Sequence, residues 1–389
     1  MNFVLVDGPN RDHLLPLVAT RAVADLRLGV LTIREKWEVM LQTKCDVLTQ
    51  DYLSADKPAT SSNIIYINAS VIPSVDLVAV IKKLEAGNCI VNDERVIAFQ
   101  HNELIECSDF ENVAASLVKT EIKLNILSIT YPWDLFSNNA DAIGNDVEQL
   151  RSKRKFINAD KSNNILNEKN VFIEDGATVM FCTINAEDGP VYIGKDAQVM
   201  EGSLIRGPVA ICNNATVKMG AKIYGGTSIG PFCKIGGEVN NSIFMAYSNK
   251  GHDGFIGNSV IGEWCNLGAD TNNSNLKNNY GNVRVWNEPA QDYIDTGLQF
   301  CGVFIADHSK CGINTMLNTG TVIGVSSNIF GGGFPPKNIP AYSWGGAAGF
   351  ERFKFDKAIE VAIAMYKRRG MQFSDKERSI LQFLFDNLQ

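Results

Sequence analysis

Residues 193–235 read IGKDAQ VMEGSL IRGPVA ICNNAT VKMGAK IYGGTS IGPFCK I, and every hexad opens on Ile or Val. The positions are Ile193, Val199, Ile205, Ile211, Val217, Ile223, Ile229 and Ile235. A helix repeats near 3.6 residues and a strand near 2, so neither yields a strict period of six. A coil whose flat sides each contribute one inward aliphatic does yield it, as in hexapeptide β-helix repeats. Small residues follow many of these positions, among them Gly194, Gly230 and Gly236, where the chain turns a corner.

Toward the C-terminus the register breaks at Asn241 and reappears, slipped, at Ile261 and Leu267. It breaks again across the polar segment Thr271 to Tyr293, then returns at Ile305, Cys311, Leu317, Ile323 and Ile329. A solenoid interrupted by polar loops usually carries its chemistry on those loops. From about Phe350 the spacing is helical, with Ala358, Ile359, Ala362 and Met365 on one face up to Gly370. Ser374-Asp375-Lys376-Glu377 is a capping box opening a second helix, whose stripe is Ile380, Leu381, Leu384, Phe385 and Leu388.

Toward the N-terminus, the polar stretch Asn158 to Asn170 reads as a linker, and an α/β unit precedes it. Phe3 to Val6 is a strand ending in the turn Asp7-Gly8-Pro9-Asn10. Ile64 to Ile67 is a second strand. Pro73 opens a helix with Leu77, Val78, Ile81 and Leu84 on one face and Gly87 as its stop. Ile126 to Ile129 is expected as a third strand.

The 389 residues leave room for two or three domains. The chain is 45% hydrophobic with a mean hydropathy of -0.05, the balance of a soluble globular protein. A net charge of -7 and a pI near 5.3 argue against a broad nucleic-acid-binding surface. The start, MNFVLVDGPNRDHLL, lacks the pattern of a signal peptide, and no run of about 18 apolar residues suggests a membrane span. Nine cysteines without a CxxC pair point to reduced, mostly buried thiols in a cytoplasmic protein.

One segment narrows the reading. Ser248-Asn249-Lys250-Gly251-His252-Asp253-Gly254-Phe255-Ile256-Gly257, then Ile261-Gly262 and Asn266-Leu267-Gly268-Ala269-Asp270-Thr271, follows the pattern S-x-x-G-H-x-x-Y-I-G, I-G, N-I-G-A-G-T. In this it resembles the acetyltransferase domain of the bifunctional N-acetylglucosamine-1-phosphate uridyltransferases and glucosamine-1-phosphate acetyltransferases. Gly302-Val303-Phe304-Ile305 and Asn338-Ile339-Pro340-Ala341-Tyr342-Ser343 are similar to further landmarks of these transferases, and the resemblance covers roughly 170–345. Phe255 stands where the family has a Tyr that helps bind the sugar phosphate, and Ser274 to Gly281 replaces the family's Asn-Tyr-Asp-Gly loop. The N-terminal region resembles the family's sugar nucleotidyltransferase half faintly. Where that half has L-A-A-G-x-G-T-R and a P-K pair, this chain has Val4 to Arg11 and Leu15-Pro16-Leu17. The Lys is missing, and so is the metal-binding Asp, near Asn68-Ala69-Ser70.

The resemblance implies a degenerate sugar nucleotidyltransferase-like α/β domain over 1–155, a left-handed parallel β-helix over 156–345 and C-terminal helices over 346–389. It also implies a homotrimer with sites between subunits, acetyl-CoA as cosubstrate and a sugar phosphate or nucleotide-sugar as acceptor. Mg²⁺ enters only if the first domain is active, where Gly8, Arg11 and Arg21 are the candidate nucleotide contacts.

Acyl transfer to an amine or hydroxyl needs a base, and a neutral imidazole suits that near pH 7. His252, flanked by Gly251 and Gly254 in the interrupted coil, is the candidate base. Asn266 is expected one side of the coil further on, to orient it or hold the oxyanion. His308 beside Asp307 competes, but neighbours in a strand point to opposite faces, which fits a coenzyme or subunit contact better. His13 and His101 read as incidental. Lys250, Asn275, Tyr280 and Arg284, expected in the interrupting loops, and Phe255 are the candidate substrate contacts, although the Asn-rich run 272–282 also reads as a plain solvated excursion. A hydratase-type metal site needs three protein ligands, and the coil has only His252 and His308, so no metal is expected. The expected function is sugar acyl transfer. The alternatives are nucleotidyl transfer to a sugar 1-phosphate by the first domain, or a non-catalytic scaffold binding a nucleotide-sugar.

Overall fold

The computed structural model describes residues 2–54 and 63–388. They form two compact units: Met1–Leu26 with Leu31–Tyr131, and Arg27–Val30 with Pro132–Gln389.

In the first unit one six-stranded sheet has the order Cys45–Leu48, Asn2–Val6, Ile64–Asn68, Arg95–His101, Asn88–Asn92, Val118–Glu121. Asn2–Val6 runs parallel to both neighbours, and Arg95–His101 antiparallel to both of its own. Central strands covered on both faces read as continuous apolar runs, and Ile64–Asn68 is buried throughout. The helix Ile33–Leu41 starts on a complete capping box between Thr32 and Glu35. It anchors Trp37, whose Nε1 donates to the Val71 carbonyl at 2.9 Å.

Two expectations for this unit change. The helix after Pro73 is capped by Ser74 and ends at Ile81, short of Leu84. The Ile126–Ile129 strand does not form; Ser128 makes only an isolated bridge to Val71. The sheet instead takes its strands from the hairpin Asn88–Asn92 and Arg95–His101. Asp93 and Glu94 form its turn with φ of 48° and 64°, the left-handed geometry a two-residue hairpin needs. Glu is an unusual residue there, which hid the turn.

The second unit is dominated by a left-handed parallel β-helix, followed by two helices. Its sides are two 10-stranded sheets and one six-stranded sheet. Along one side Ile193, Ile211, Ile229, Phe244, Ile261, Ile305, Ile323 and Ile339 pair in register from turn to turn. Along the second run Val199, Val217, Ile235 and Lys250, and along the third Ile205, Ile223, Val239 and Ile256. The period of six is therefore three inward columns visited in rotation. Apart from Lys250, each of these residues is buried in one apolar core.

One corner is built by left-handed residues that are not glycine: Phe232, Tyr247, Trp264 and His308, with φ between 56° and 61°. Their side chains leave the coil in parallel. Phe232 stacks on Tyr247 at 5.0 Å, and Tyr247 on Trp264 at 4.3 Å. Tyr366, from the tail helix Phe355–Arg368, adds to the stack 4.0 Å from Trp264. Such pairs contribute roughly 0.5–1.5 kcal/mol each beyond burial, so the stack fixes the tail against the coil. Met365, expected on the apolar stripe, is half-buried, and Tyr366 takes the buried place. The capping box Ser374–Glu377 forms as expected.

Helices Pro132–Ser137 and Asn139–Arg151 group with the coil rather than with the α/β unit. So does the early segment Arg27–Val30, which they help to clasp. Asn139 Oδ1 accepts from the Gly29 amide at 2.7 Å, and Asp146 Oδ2 from Val30 at 2.8 Å. Asn139 Nδ2 donates to the Gly226 carbonyl at 2.7 Å and to Ser228 Oγ at 2.9 Å. Asn139 is fully buried, so Asn139→Ala leaves a buried amide and a buried carbonyl without partners. At roughly 1–3 kcal/mol per orphaned group, it is expected to destabilise the unit by about 3 kcal/mol. The shift of its urea midpoint measures this, and a shift within error would contradict it.

All nine cysteines are free thiols, and all but Cys107 are buried. Among the described residues no helix is long and apolar enough to cross a membrane.

Candidate functional site

The slipped register has a structural cause. Ile223 pairs with Val239 and Ile229 with Phe244, so this turn is shorter than those before it. The next turns keep a common length until Ile261 pairs with Ile305 across a long excursion. Asn272–Asn273 still pairs with Met316–Leu317. The second break therefore begins after Asn273, not at Thr271, and the excursion spans 274–302.

His252 lies at the corner between the strands Asn249–Lys250 and Phe255–Gly257, and it is exposed. The corner is tightly set. The Asp270 amide donates to the Asp253 carbonyl at 2.9 Å, and the Phe255 amide to Asn272 Oδ1 at 2.8 Å. Gly254 has φ +116°, and a Cβ there would lie 2.4 Å from the Thr271 carbonyl oxygen, so only glycine fits.

Lys250 is placed differently from the sequence expectation. It is not in a loop but fully buried inside the coil, in register with Ile235. Its Nζ donates to the carbonyls of His252 at 2.6 Å and Asp253 at 3.0 Å. Burial pushes its pKa down to about 8, with Asp253 and Asp270 opposing the shift.

Asn266 is also displaced from expectation. It pairs in register with Asn249 on one side and Lys310 on the other, so it lies a full turn beyond Asn249 on the same side of the coil, not one side on. Its side chain is exposed. Asn249 Oδ1 accepts from Arg369 of the tail at 3.2 Å.

Phe255 and Asn275 are brought together. A Cβ added to Gly257 would lie 2.5 Å from the Phe255 ring and 2.7 Å from Asn275 Nδ2. Asn275 Nδ2 in turn donates to Asn258 Oδ1 at 2.8 Å. Tyr280 is exposed further along the excursion. Arg284 lies in the antiparallel hairpin of Arg284–Asn287 and Asp292–Asp295. There it pairs with Asp292 at 3.8 Å and donates to the Tyr293 carbonyl. His308 is buried, its ring part of the aromatic stack 6.4 Å from Trp264. Asp307 Oδ1 accepts from the Glu263 amide at 2.7 Å.

In the first unit Arg11 is turned inward. Its Nε meets Asp7 Oδ2 at 3.1 Å, and Nη2 donates to the Val18 carbonyl at 2.6 Å and Tyr52 Oη at 3.2 Å. Asp7 also accepts from Thr49 Oγ1 at 2.5 Å and the Val23 amide at 2.8 Å. Burial raises the Asp7 carboxyl to about 6, against the pull of Thr49, Arg11 and Val23. Gly8 faces Asn68, whose amide lies 3.0 Å from where a Cβ would sit. Arg21 is half-buried, and its charge acts on Asp25. Asp7 thus spends its oxygens on the protein, and among the described residues no group of three or more His, Cys, Asp or Glu is set to hold a metal. With Asp7 committed to Arg11, Thr49 and Val23, this loop does not suit Mg²⁺.

Residues 3–155 match the family described as sugar nucleotidyl transferase. Among solved structures, the polySia-specific acetyltransferase NeuO is similar at 13% identity and a TM-score of 0.29, covering 53% of this chain and 92% of that one. The UDP-N-acetylglucosamine acyltransferase of Francisella novicida is similar at 17% identity and a TM-score of 0.30, covering 59% and 91%. A variant of the N-acyltransferase AntD from Bacillus cereus, in complex with dTDP-4-amino-4,6-dideoxyglucose and coenzyme A, shares 15% identity at a TM-score of 0.23, covering 57% and 96%. Comparison with the curated proteins finds no match.

Proposed function

We propose that this protein is an acyltransferase that moves an acetyl group from acetyl-CoA to a sugar phosphate or nucleotide-sugar. One observation carries the reading. Of the two histidines on the coil, His308 is enclosed in the aromatic stack, whereas His252 stands exposed on a glycine-flanked, internally braced corner. That is where a base can meet an acceptor while the thioester lies along the coil.

His252 takes the proton of the acceptor amine or hydroxyl as that atom attacks the thioester carbonyl. Collapse of the tetrahedral intermediate expels the coenzyme thiolate, which takes up a proton. Asn266 is an exposed polar group one turn beyond Asn249 on the same side of the coil, suited to hold the oxyanion or the coenzyme. The Phe255–Asn275 surface at Gly257 is the acceptor-side candidate, with Tyr280 and Arg284 further out on the excursion. A homotrimer with sites between subunits belongs to the same reading.

The test is thiol release from acetyl-CoA across a panel of amino-sugar phosphates and nucleotide-sugars. Turnover with one class supports the reading. No turnover over the whole panel sinks it.

The family match over residues 3–155 favours a second reading, nucleotide-sugar binding or nucleotidyl transfer in the first unit. Pyrophosphate release from a nucleoside triphosphate and a sugar 1-phosphate with Mg²⁺ would favour nucleotidyl transfer. Binding without turnover would favour a scaffold.

A further inference from the structure

Lys250 occupies a place where the coil otherwise puts an aliphatic. Its column reads Val199, Val217, Ile235, then Lys250, and continues through Leu267, Cys311 and Ile329. An ammonium inside such a core loses its hydration, so it is retained only where something inside answers it. Here two backbone carbonyls answer, those of His252 and Asp253, and both belong to the corner that carries the candidate base.

The turn below is cut away to admit it. A Cβ on Gly237 would lie 2.9 Å from Lys250 Nζ and 2.6 Å from the Gly254 carbonyl oxygen. The shortened turn, the glycine and the buried lysine are thus one device. With two successive carbonyls drawn inward, the peptide planes of the corner are set and the side chains of His252 and Asp253 are left outside, where both are exposed.

We propose that Lys250 is a positioning residue: its internal ammonium holds the His252–Asp253 carbonyls and so aims the His252 imidazole at the acceptor. This rests on the reading of His252 as the base. The charged groups facing the ammonium are Asp253 and Asp270. Loss of the proton leaves a neutral amine with a buried lone pair and weaker donors, so the corner loosens on the alkaline side.

The first arm of the experiment needs no activity. His-Asp occurs once in the chain, at His252-Asp253. Labelling the full-length protein with carbonyl-¹³C histidine and ¹⁵N aspartate therefore isolates one carbonyl, that of His252. Its shift is expected to titrate with a midpoint near pH 8, the value to which burial holds Lys250, and the step is expected to vanish in Lys250→Met. A step arising from the His252 ring itself persists in the variant. A flat profile in the wild type, or an unchanged step in the variant, overturns the proposal.

The second arm is turnover. Lys250→Met relieves the burial of a charge but leaves the inward His252 carbonyl without its donor, so the two effects oppose and the thermal midpoint is expected to shift little, with the protein still folded. kcat is expected to fall about 30-fold, with KM for acetyl-CoA unchanged within about twofold, as for loss of an oriented catalytic group. Lys250→Arg, too large for the Gly237 chamber, is not expected to rescue. Full kcat in a folded Lys250→Met protein overturns the proposal. If His252→Ala keeps full turnover while the carbonyl titration behaves as stated, the base assignment fails and the internal brace stands.

Discussion

His252→Ala is expected to lower kcat/KM for thioester-dependent acyl transfer by about 10²–10⁴-fold, the contribution of a positioned general base. The loss should fall mainly in kcat, because the proposed role of His252 is in the proton transfer rather than in holding the acceptor. Folding should be untouched. The side chain is exposed, and the corner is held through its carbonyl, which alanine keeps. His252→Gln separates the roles further: it offers a hydrogen-bonding group without a base and should rescue little. His308→Ala behaves oppositely, since its ring is packed into the stack with Trp264 and Tyr366. Its first effect should be on the thermal midpoint. Steady-state rates and melting curves of the three variants decide this, and a His252→Ala protein within threefold of wild type would remove His252 from the chemistry.

Arg11→Ala is expected to destabilise the first unit by about 3–5 kcal/mol, the usual result of removing one partner of a buried ion pair. Both side chains are almost wholly buried, so solvent screening does little to soften the loss. The pH dependence has a definite sign. Burial holds Asp7 near 6 in the folded protein, above its ordinary value of 3.8, so proton uptake by Asp7 favours the folded state. That stabilisation is complete below about pH 4 and is lost as pH rises through 6. Without Arg11 the carboxyl rises further, so the damage should be greatest above pH 7 and shrink toward pH 5. Calorimetry of the full chain at pH 5 and 8 measures it. A phosphate-binding Arg11 predicts the reverse outcome, with stability kept and nucleotide affinity lost.

The two sites were unequally legible in the chain. His252 stands out in the sequence because its signal is local: glycines on either side, at the point where a strict period fails. Arg11 reads as a ligand contact from its place in the loop, whereas two of its partners, Val18 and Tyr52, lie further along the chain. Val18 and Tyr52 reach it, and Thr49 reaches its partner Asp7, only when the loop folds back and Cys45–Leu48 pairs with Asn2–Val6. Lys250 and Asn266 were misplaced for one common reason. Telling that Lys250 is on a strand and not in a loop, or which side carries Asn266, needs the length of every preceding turn, and the turn after Ile229 is short. The Ile126–Ile129 strand failed because a short apolar run is equally at home in buried irregular chain.

The period of six was by itself enough to establish the coil, its inward columns and the two places where they are interrupted. It could do so because each hexad is satisfied by its own aliphatic and its neighbours one turn away, so the pattern repeats in the sequence itself. The direction of individual polar side chains was decided only by the tertiary structure. Whether a lysine points into the core or out of it depends on how many residues the adjoining corners contain and what space a glycine leaves beneath it. Gly237 clears the space for Lys250, and two carbonyls of the next corner fill its bonds. No local pattern records that arrangement, because it exists only once successive turns have stacked.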